Sequence, residues 1–196
     1  MKATLHRREV VRTLLAERGE LLVVSGLGST SWDCTAAGDS PLTFPLWGAM
    51  GVAAMTGLGL ALAQPRRRVL VITGDGEMLM GLTSLATIGV QRPRNLALAV
   101  IDNERYGETG MQATHTAHGV DLAAIARGCG FDAAQVVWRE SGLKAACRRL
   151  RAGAGPVLVQ IKVVPEKLPL ALPPREGALL KARFRRALLG AAMDSA

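Results

Sequence analysis

The chain has 196 residues, of which 49% are apolar and 20% charged, and its formal net charge is +8. This length and apolar content predict one folded domain with a substantial core, and they exclude a disordered chain. The excess of Lys and Arg is spread along the sequence and is not interleaved with aromatic residues, so nucleic-acid binding is not expected. The three cysteines form no CxxC pair, which argues against a disulfide framework or a zinc site.

No leader peptide or membrane segment is predicted. Residues 1–12 are charged and amphipathic, unlike a signal peptide. The most apolar stretch, residues 46–63, contains four glycines, is short for a bilayer span, and is followed by Pro65 and three arginines. We interpret this stretch as a buried helix and expect a cytoplasmic protein without a membrane partner.

Apolar runs and turn residues alternate along the chain. Helices are predicted at residues 6–18, 49–63, 79–90, 120–128, 141–152 and 176–189. Strands are predicted at residues 21–25, 69–73, 96–101, 135–137 and 157–163. Residues 25–31 are predicted as a loop, and residues 31–45 as irregular. Strands separated by helices predict an α/β fold, a doubly wound parallel sheet flanked by helices on both faces.

The predicted organisation is a single domain at residues 1–165, followed by residues 166–196. The second segment is a proline-broken linker that leads into a basic amphipathic helix. Its sequence leaves open whether this helix packs on its own domain or reaches a neighbouring chain.

Two polar residues follow neighbouring strands of the predicted sheet. Asp75 lies in the turn Gly74-Asp75-Gly76, and 26 residues separate Gly76 from Asn103. A crossover helix of this length would bring Asp75 and Asn103 together at the carboxyl ends of two parallel strands, where open α/β sheets bind ligands. Both offer the hard oxygen ligands that Mg²⁺ prefers. The glycines let a phosphate approach the backbone closely.

The segment after Asn103 is longer than a simple connection. Residues 103–115 are polar and contain several glycines, which is typical of functional loops. The carbonyl of Arg105 could supply a further ligand to Mg²⁺. The structural alternative is that Asp75 caps a helix and Asn103 closes a turn. Neither a complete dinucleotide-binding fingerprint nor a Walker P-loop is present.

The GDG turn, the 26-residue gap and Asn103 together resemble the signature of thiamine diphosphate-dependent enzymes. Residues 46–77 resemble the segment leading into the GDG turn of 2-oxo acid decarboxylases. DNERYGETGMQATHT, which begins at Asp102, is most similar to the small subunit of sulfopyruvate decarboxylase and the matching part of phosphonopyruvate decarboxylase. The resemblance covers about residues 20–165 and implies the diphosphate-binding domain of this family, with thiamine diphosphate and Mg²⁺ as cofactors.

The resemblance implies roles for individual residues. Met50 would lie under the cofactor and impose its bent shape, and the Gly48 carbonyl would accept a hydrogen bond from the pyrimidine amino group. His115 or His118 could serve as proton donor or anion ligand, or could be solvated loop residues. The other implied contacts to cofactor or Mg²⁺ are those of Thr30, Ser31, Gly74, Asp75, Gly76, Glu77, Asn103, Arg105, Tyr106 and Gly107.

The resemblance also implies a missing part. In this family, a glutamate on a separate pyrimidine-binding domain activates the cofactor, and no segment of this chain resembles that domain. Glu77, Glu104 and Glu108 are expected at the diphosphate end, so they do not replace it. We therefore expect half of an active site, completed by a separate pyrimidine-binding subunit in a hetero-oligomer, with homodimers of the isolated chain as a further possibility. The glycine- and alanine-rich helix 49–63 would allow close packing at that interface.

The sequence thus predicts a subunit of a decarboxylase acting on a small anionic 2-oxo acid, with sulfopyruvate or phosphonopyruvate as candidate substrates. Alternatives with the same cofactor site are carbon–carbon ligation, as in acetohydroxy acid synthases, and oxidative decarboxylation. A non-catalytic scaffold subunit is a third alternative, which intact Asp75 and Asn103 disfavour.

Overall fold

A computed structural model describes residues 3–190 of the chain. Its main sheet has six parallel strands in the order β2-β1-β3-β4-β8-β7. These strands are β1 (Leu22–Ser25), β2 (Thr43–Pro45), β3 (Val69–Gly74), β4 (Leu96–Asp102), β7 (Ala133–Val137) and β8 (Val157–Lys162). From β1 the chain runs outward to β2 and then returns to β3 on the other side of β1, which creates a topological switch point between β1 and β3.

Helices cover both faces of the sheet. They are α1 (Arg7–Leu15), α2 (Ser29–Ala36), α3 (Ala53–Ala63), α4 (Asp75–Met80), α5 (Ser84–Gln91), α6 (Leu122–Gly128), α7 (Glu140–Ala152) and α8 (Gly177–Leu189). A short antiparallel hairpin, β5 (Arg105–Tyr106) and β6 (Gln112–Ala113), lies apart from the main sheet and precedes a 3₁₀ turn at His115–His118. Within residues 3–190, no helix has both the length and the apolar character needed to cross a membrane.

The core has two layers because successive side chains of a strand point to opposite faces. In β3, Leu70 and Ile72 pack on the side of α1 and α7, whereas Val69 and Val71 pack on the side of α3, α5 and α6. All four are fully buried. The predicted doubly wound α/β fold is therefore confirmed.

The prediction that residues 31–45 are irregular is wrong, because these residues contain most of α2 and the whole of the edge strand β2. Ser and Thr residues give α2 a weak helical signal. Its stability comes from tertiary contacts: Asp33, only 1% exposed, accepts hydrogen bonds from Arg7 and Arg8 of α1. The strand β2 has only three residues and lies at the sheet edge, where Pro45 is tolerated.

Two predicted helices have different bounds in the structure. The helix predicted at 49–63 begins at Ala53, because Gly51 adopts a left-handed φ of 86° that ends any helical path through it. The helix predicted at 79–90 is two helices, α4 and α5, separated at residues 81–83. Helix α4 therefore begins directly after β3, at Asp75, rather than four residues later.

Helix α8 packs on its own domain. Phe184 and Leu180 are buried, and the centre of the Phe184 ring lies 5.4 Å from that of Phe44 in β2. Arg183 pairs with Asp39, and Trp47 Nε1 donates a hydrogen bond of 2.9 Å to the Pro174 carbonyl. The question that the sequence left open is thus answered for residues 177–189, while residues 191–196 of the predicted C-terminal segment lie outside the described residues.

Candidate active site

The carboxyl ends of β3 and β4 bring the predicted metal ligands into one cavity. The strands pair in register up to Gly74 and Ile101, so Asp75 and Asn103 follow at adjacent points of the sheet edge. Both line a cavity of about 250 Å³. Among the other predicted residues, Met50, Gly74, Gly76, Glu77, Arg105, Tyr106 and Gly107 also line it.

Asp75 is a buried carboxylate, 2% exposed. Burial, and then the nearby Asp102 carboxylate, raise its pKa to about 6. Thr114 Oγ1 donates a hydrogen bond of 2.5 Å to Asp75 Oδ2, and Thr116 Oγ1 lies 3.1 Å from the same oxygen. No Lys, Arg or His of residues 3–190 compensates the Asp75 charge.

Asp102 lies beside Asp75 but has its own cation. Lys162 Nζ is 2.9 Å from Asp102 Oδ2, and Gln160 Nε2 donates to the same oxygen over 2.6 Å. Burial lowers the pKa of Lys162, but hydrogen bonds and charges from Glu104 and Asp102 outweigh it and raise the pKa overall. Lys162 therefore offsets Asp102 and leaves the Asp75 charge uncompensated.

Asn103 is held by its own turn. Its Oδ1 accepts a hydrogen bond of 2.9 Å from the backbone N–H of Arg105. Because an amide oxygen has two lone pairs, it can still bind an ion. Within residues 3–190, no group of three or more His, Cys, Asp or Glu side chains could hold a metal. One buried carboxylate without a cation, together with amide and carbonyl oxygens, fits Mg²⁺, which keeps waters and phosphate oxygens among its ligands.

Glu77 connects the loops around the cavity. Thr73 Oγ1 donates to Glu77 Oε2 over 2.8 Å, and the backbone N–H of Ala53 donates to Oε1 over 3.3 Å. Burial raises the pKa of Glu77, and these hydrogen bonds partly oppose the increase. The carboxylate thus fixes the turn before α3, which carries Met50, against the end of β3.

Several predicted residues lie outside the cavity lining. The Thr30 and Ser31 hydroxyls donate instead to the Gly26 carbonyl, over 2.9 and 2.7 Å. Gly48 is exposed in the turn before Met50, and His115 and His118 are exposed in the 3₁₀ turn. The roles of all five remain predictions.

Other lining residues were not singled out as ligands from the sequence. Ser29 occupies the wall where Thr30 and Ser31 were expected, and Arg7 reaches the cavity from α1. Glu108 also lines the cavity, while its place at the diphosphate end stays a prediction. The helical spacing of apolar residues in α1 predicts which residues are buried, but it does not predict a binding site. The role of Arg7 in lining the cavity therefore could not be predicted from that spacing.

Comparison with known proteins agrees with this geometry. Residues 29–161 match the sequence profile of the family described as "Thiamine pyrophosphate enzyme, C-terminal TPP binding domain". The chain belongs to this family. The predicted family and the cofactor, thiamine diphosphate with its Mg²⁺, are thereby confirmed.

Particular relatives can be named. Sulfopyruvate decarboxylase subunit beta of Methanothermobacter thermautotrophicus is 35% identical over 97% of this chain and 99% of its own length. The protein of the same name from Methanocaldococcus jannaschii is 42% identical over 64% of this chain and 67% of its own. Phosphonopyruvate decarboxylase of Streptomyces viridochromogenes is 39% identical over 91% of this chain, which spans 45% of that protein.

The solved structures support the fold. Benzoylformate decarboxylase from Polynucleobacter necessarius superposes with a TM-score of 0.70 at 20% identity, covering 85% of this chain and 34% of the other.

Proposed function

We propose that the chain is the diphosphate- and Mg²⁺-binding subunit of a thiamine diphosphate-dependent 2-oxo acid decarboxylase. Asp75, Asn103 and the Arg105 carbonyl would hold the metal, and the N–H groups at the start of α4 would hold the diphosphate. Bound thiamine diphosphate supplies a nucleophilic carbon for the keto group and an electron sink as CO₂ leaves. The observation that carries the proposal is the uncompensated buried carboxylate of Asp75, beside Asn103 in one cavity.

A second chain would complete the site. A cavity of about 250 Å³ is smaller than the roughly 300–1,000 Å³ typical of small-molecule sites. A separate subunit is consistent with relatives named subunit beta. We assign to this partner the pyrimidine-binding domain and its catalytic glutamate.

The partner would dock beside the cavity mouth. Val52, Met55 and Leu62 are 40%, 42% and 52% exposed and share one face of α3, while Met50 and Met80 extend this apolar area at the cavity. We call these five residues the α3 face. Of the two glycines within α3, only Gly59 could allow a partner helix to pack closely against the α3 face. Gly57 faces β3 of the same chain instead.

The best candidate substrates are small 2-oxo acids with an anionic tail. Sulfopyruvate and phosphonopyruvate are favoured by the names of the relatives. The cytoplasmic location remains a prediction.

The test is reconstitution. We expect co-expression with a pyrimidine-domain chain encoded nearby to give CO₂ release that neither chain shows alone, and Asp75→Asn to abolish it. A panel of 2-oxo acids, with and without an acceptor aldehyde, separates decarboxylation from carbon–carbon ligation, and an artificial electron acceptor reveals oxidative decarboxylation. Robust turnover by the isolated chain would refute the half-site. A complex that forms but binds no cofactor would leave the scaffold role.

A further inference from the structure

Arg7 is a buried cation at one end of the cavity. It is 4% exposed and lines the same cavity as Asp75 and Asn103. Its Nη1 donates to Asp33 and, over 3.3 Å, to the Ser29 carbonyl. Asp33 also accepts from Arg8 Nε over 3.0 Å, so one carboxylate serves two guanidinium groups. The Asp33 carboxylate alone therefore does not balance the two guanidinium charges.

Part of the Arg7 donor set is available to a ligand. Among residues 3–190, its guanidinium hydrogen bonds use only Nη1. The three N–H donors on Nε and Nη2 remain, in the planar arrangement that suits phosphate oxygens. Since one buried carboxylate is shared by the two guanidinium groups, these free donors are suited to an anionic ligand.

The first turn of α2 lies next to Arg7 and faces the same cavity. Gly28 precedes this helix with a φ of 77°, and no side chain caps the helix start. Ser29, its first residue, lines the cavity. Unpaired N–H groups at a helix start favour anions.

The Glu108 carboxylate lies at the start of α2. A Cβ on Gly28 would lie only 2.9 Å from Glu108 Oε1, so the carboxylate rests directly on the start of α2. Burial raises the pKa of Glu108, and the charge of Arg7 opposes that increase. Glu108 is carried by the loop between β5 and β6, and Tyr106 of the same hairpin covers Gly76 at the start of α4.

We infer that Arg7 and the start of α2 bind the terminal phosphate of the cofactor, and that Glu108 is a competing occupant of that subsite within the same chain. This inference rests on the proposed function. The cofactor has to displace the Glu108 carboxylate from the cationic end of the cavity. Arg7 is then a cofactor-binding residue and Glu108 a determinant of cofactor affinity, both outside the GDG and Asn103 motif.

The test is calorimetric titration of the full-length chain with thiamine diphosphate and Mg²⁺. Glu108→Gln keeps the size of the side chain and removes its charge. We expect it to tighten binding about tenfold, because a like charge is removed from beside the phosphate in a partly buried site. Glu140→Gln, which makes the same charge change at an exposed residue of α7, controls for net charge and should leave the affinity unchanged.

Two further titrations show whether the change in affinity depends on the terminal phosphate and on Arg7. Thiamine monophosphate lacks the terminal phosphate, so Glu108→Gln should change its affinity by less than about twofold if the like-charge repulsion acts on that phosphate alone. In an Arg7→Gln background, diphosphate binding should be weaker and the gain from Glu108→Gln should shrink. If the Arg7 variant does not fold, the comparison of the two ligands decides alone.

The results of these titrations distinguish a failure of the inference from a failure of the proposed function. Unchanged or weaker diphosphate binding by Glu108→Gln, with binding by the wild type intact, overturns the inference and leaves the proposed function standing. An equal gain for both thiamine phosphates also overturns it. If neither the wild type nor Glu108→Gln binds the diphosphate with Mg²⁺, either alone or in complex with the partner subunit, the proposed function itself fails.

Discussion

Asp75 carries a charge that folding removes from water without a cation from the described part of this chain. Two threonine hydroxyls stabilise it only partly, and its pKa is raised to about 6. Above that pH the folded protein bears an ionised carboxylate that the unfolded chain would solvate better. A residue that weakens the fold in this way is typical of a functional site.

We therefore expect Asp75→Asn to stabilise the chain in the absence of Mg²⁺ by about 2 kcal/mol at pH 7.5. The difference should shrink toward pH 4, where the wild-type carboxyl is protonated in the folded state. Urea unfolding at both pH values measures it, with Asp132→Asn at an exposed site as the control. A variant less stable than wild type at pH 7.5 would contradict this account of Asp75.

Lys162 has the opposite role, since it compensates Asp102 in the same buried network. Lys162→Met should cost about 3–5 kcal/mol, because it leaves a buried carboxylate without a cation. Asp102→Asn in the same chain should recover part of the loss. A double-mutant cycle on the free energy of unfolding measures the coupling, and additive effects would show that the two charges do not depend on each other.

The pattern of the sequence predicts cavity-lining residues best where the end of a strand places them. Asp75 and Asn103 each follow an uninterrupted apolar run, so the parallel sheet alone brings them together. Ser29 and Arg7 reach the cavity through the packing of α1 against α2. Such contacts depend on how elements pack, which no local pattern encodes.

At the scale of elements, strong apolar periodicity predicted the five longer strands and most helices. Helix α2 was missed because its Ser and Thr residues have weak helical propensity and its stability comes from the ion pairs of Asp33 with α1. The bounds of α3 depend on the conformation of Gly51, which sequence alone does not give. In short polar helices and glycine turns, tertiary contacts therefore outweigh the conformational preference of the local sequence.

Helix α3 offers a matched pair of glycines. A Cβ on Gly57 would lie 2.2 Å from Val71 Cγ2, whereas one on Gly59 would meet nothing within 4 Å. We expect Gly57→Ala to destabilise the isolated chain by about 1–3 kcal/mol through overpacking. Gly59→Ala should stabilise it by about 0.5–1 kcal/mol through helix propensity. Thermal and urea unfolding compare the two, and equal effects would contradict the packing of α3 on β3.

At the scale of the whole molecule, the cavity opens beside an apolar surface. Gly74 and Asp75 form the part of the cavity wall at the end of β3. Met50 and Met80 also line the cavity, and both belong to the exposed α3 face. A partner covering this face would exclude water from the cavity and complete its wall. Assembly and catalysis are therefore expected to depend on the same surface.

Met55→Glu should weaken association with the partner subunit at least tenfold, because it buries a charge in the interface. Met55 is 42% exposed in the isolated chain, so its fold should be retained. Co-purification of tagged pairs measures association, and circular dichroism measures the fold. Leu179→Glu, at a leucine of α8 that is 55% exposed, is the control. Equal loss for both variants would place the interface elsewhere.

The most direct measurement is the anomalous diffraction of a crystal of this chain grown with thiamine diphosphate and Mn²⁺ in place of Mg²⁺. We expect one strong peak within about 2.3 Å of both the Asp75 carboxylate and Asn103 Oδ1, in contact with the diphosphate. A metal bound without one of these side chains, or a diphosphate seated away from the ends of β3 and β4, would contradict it.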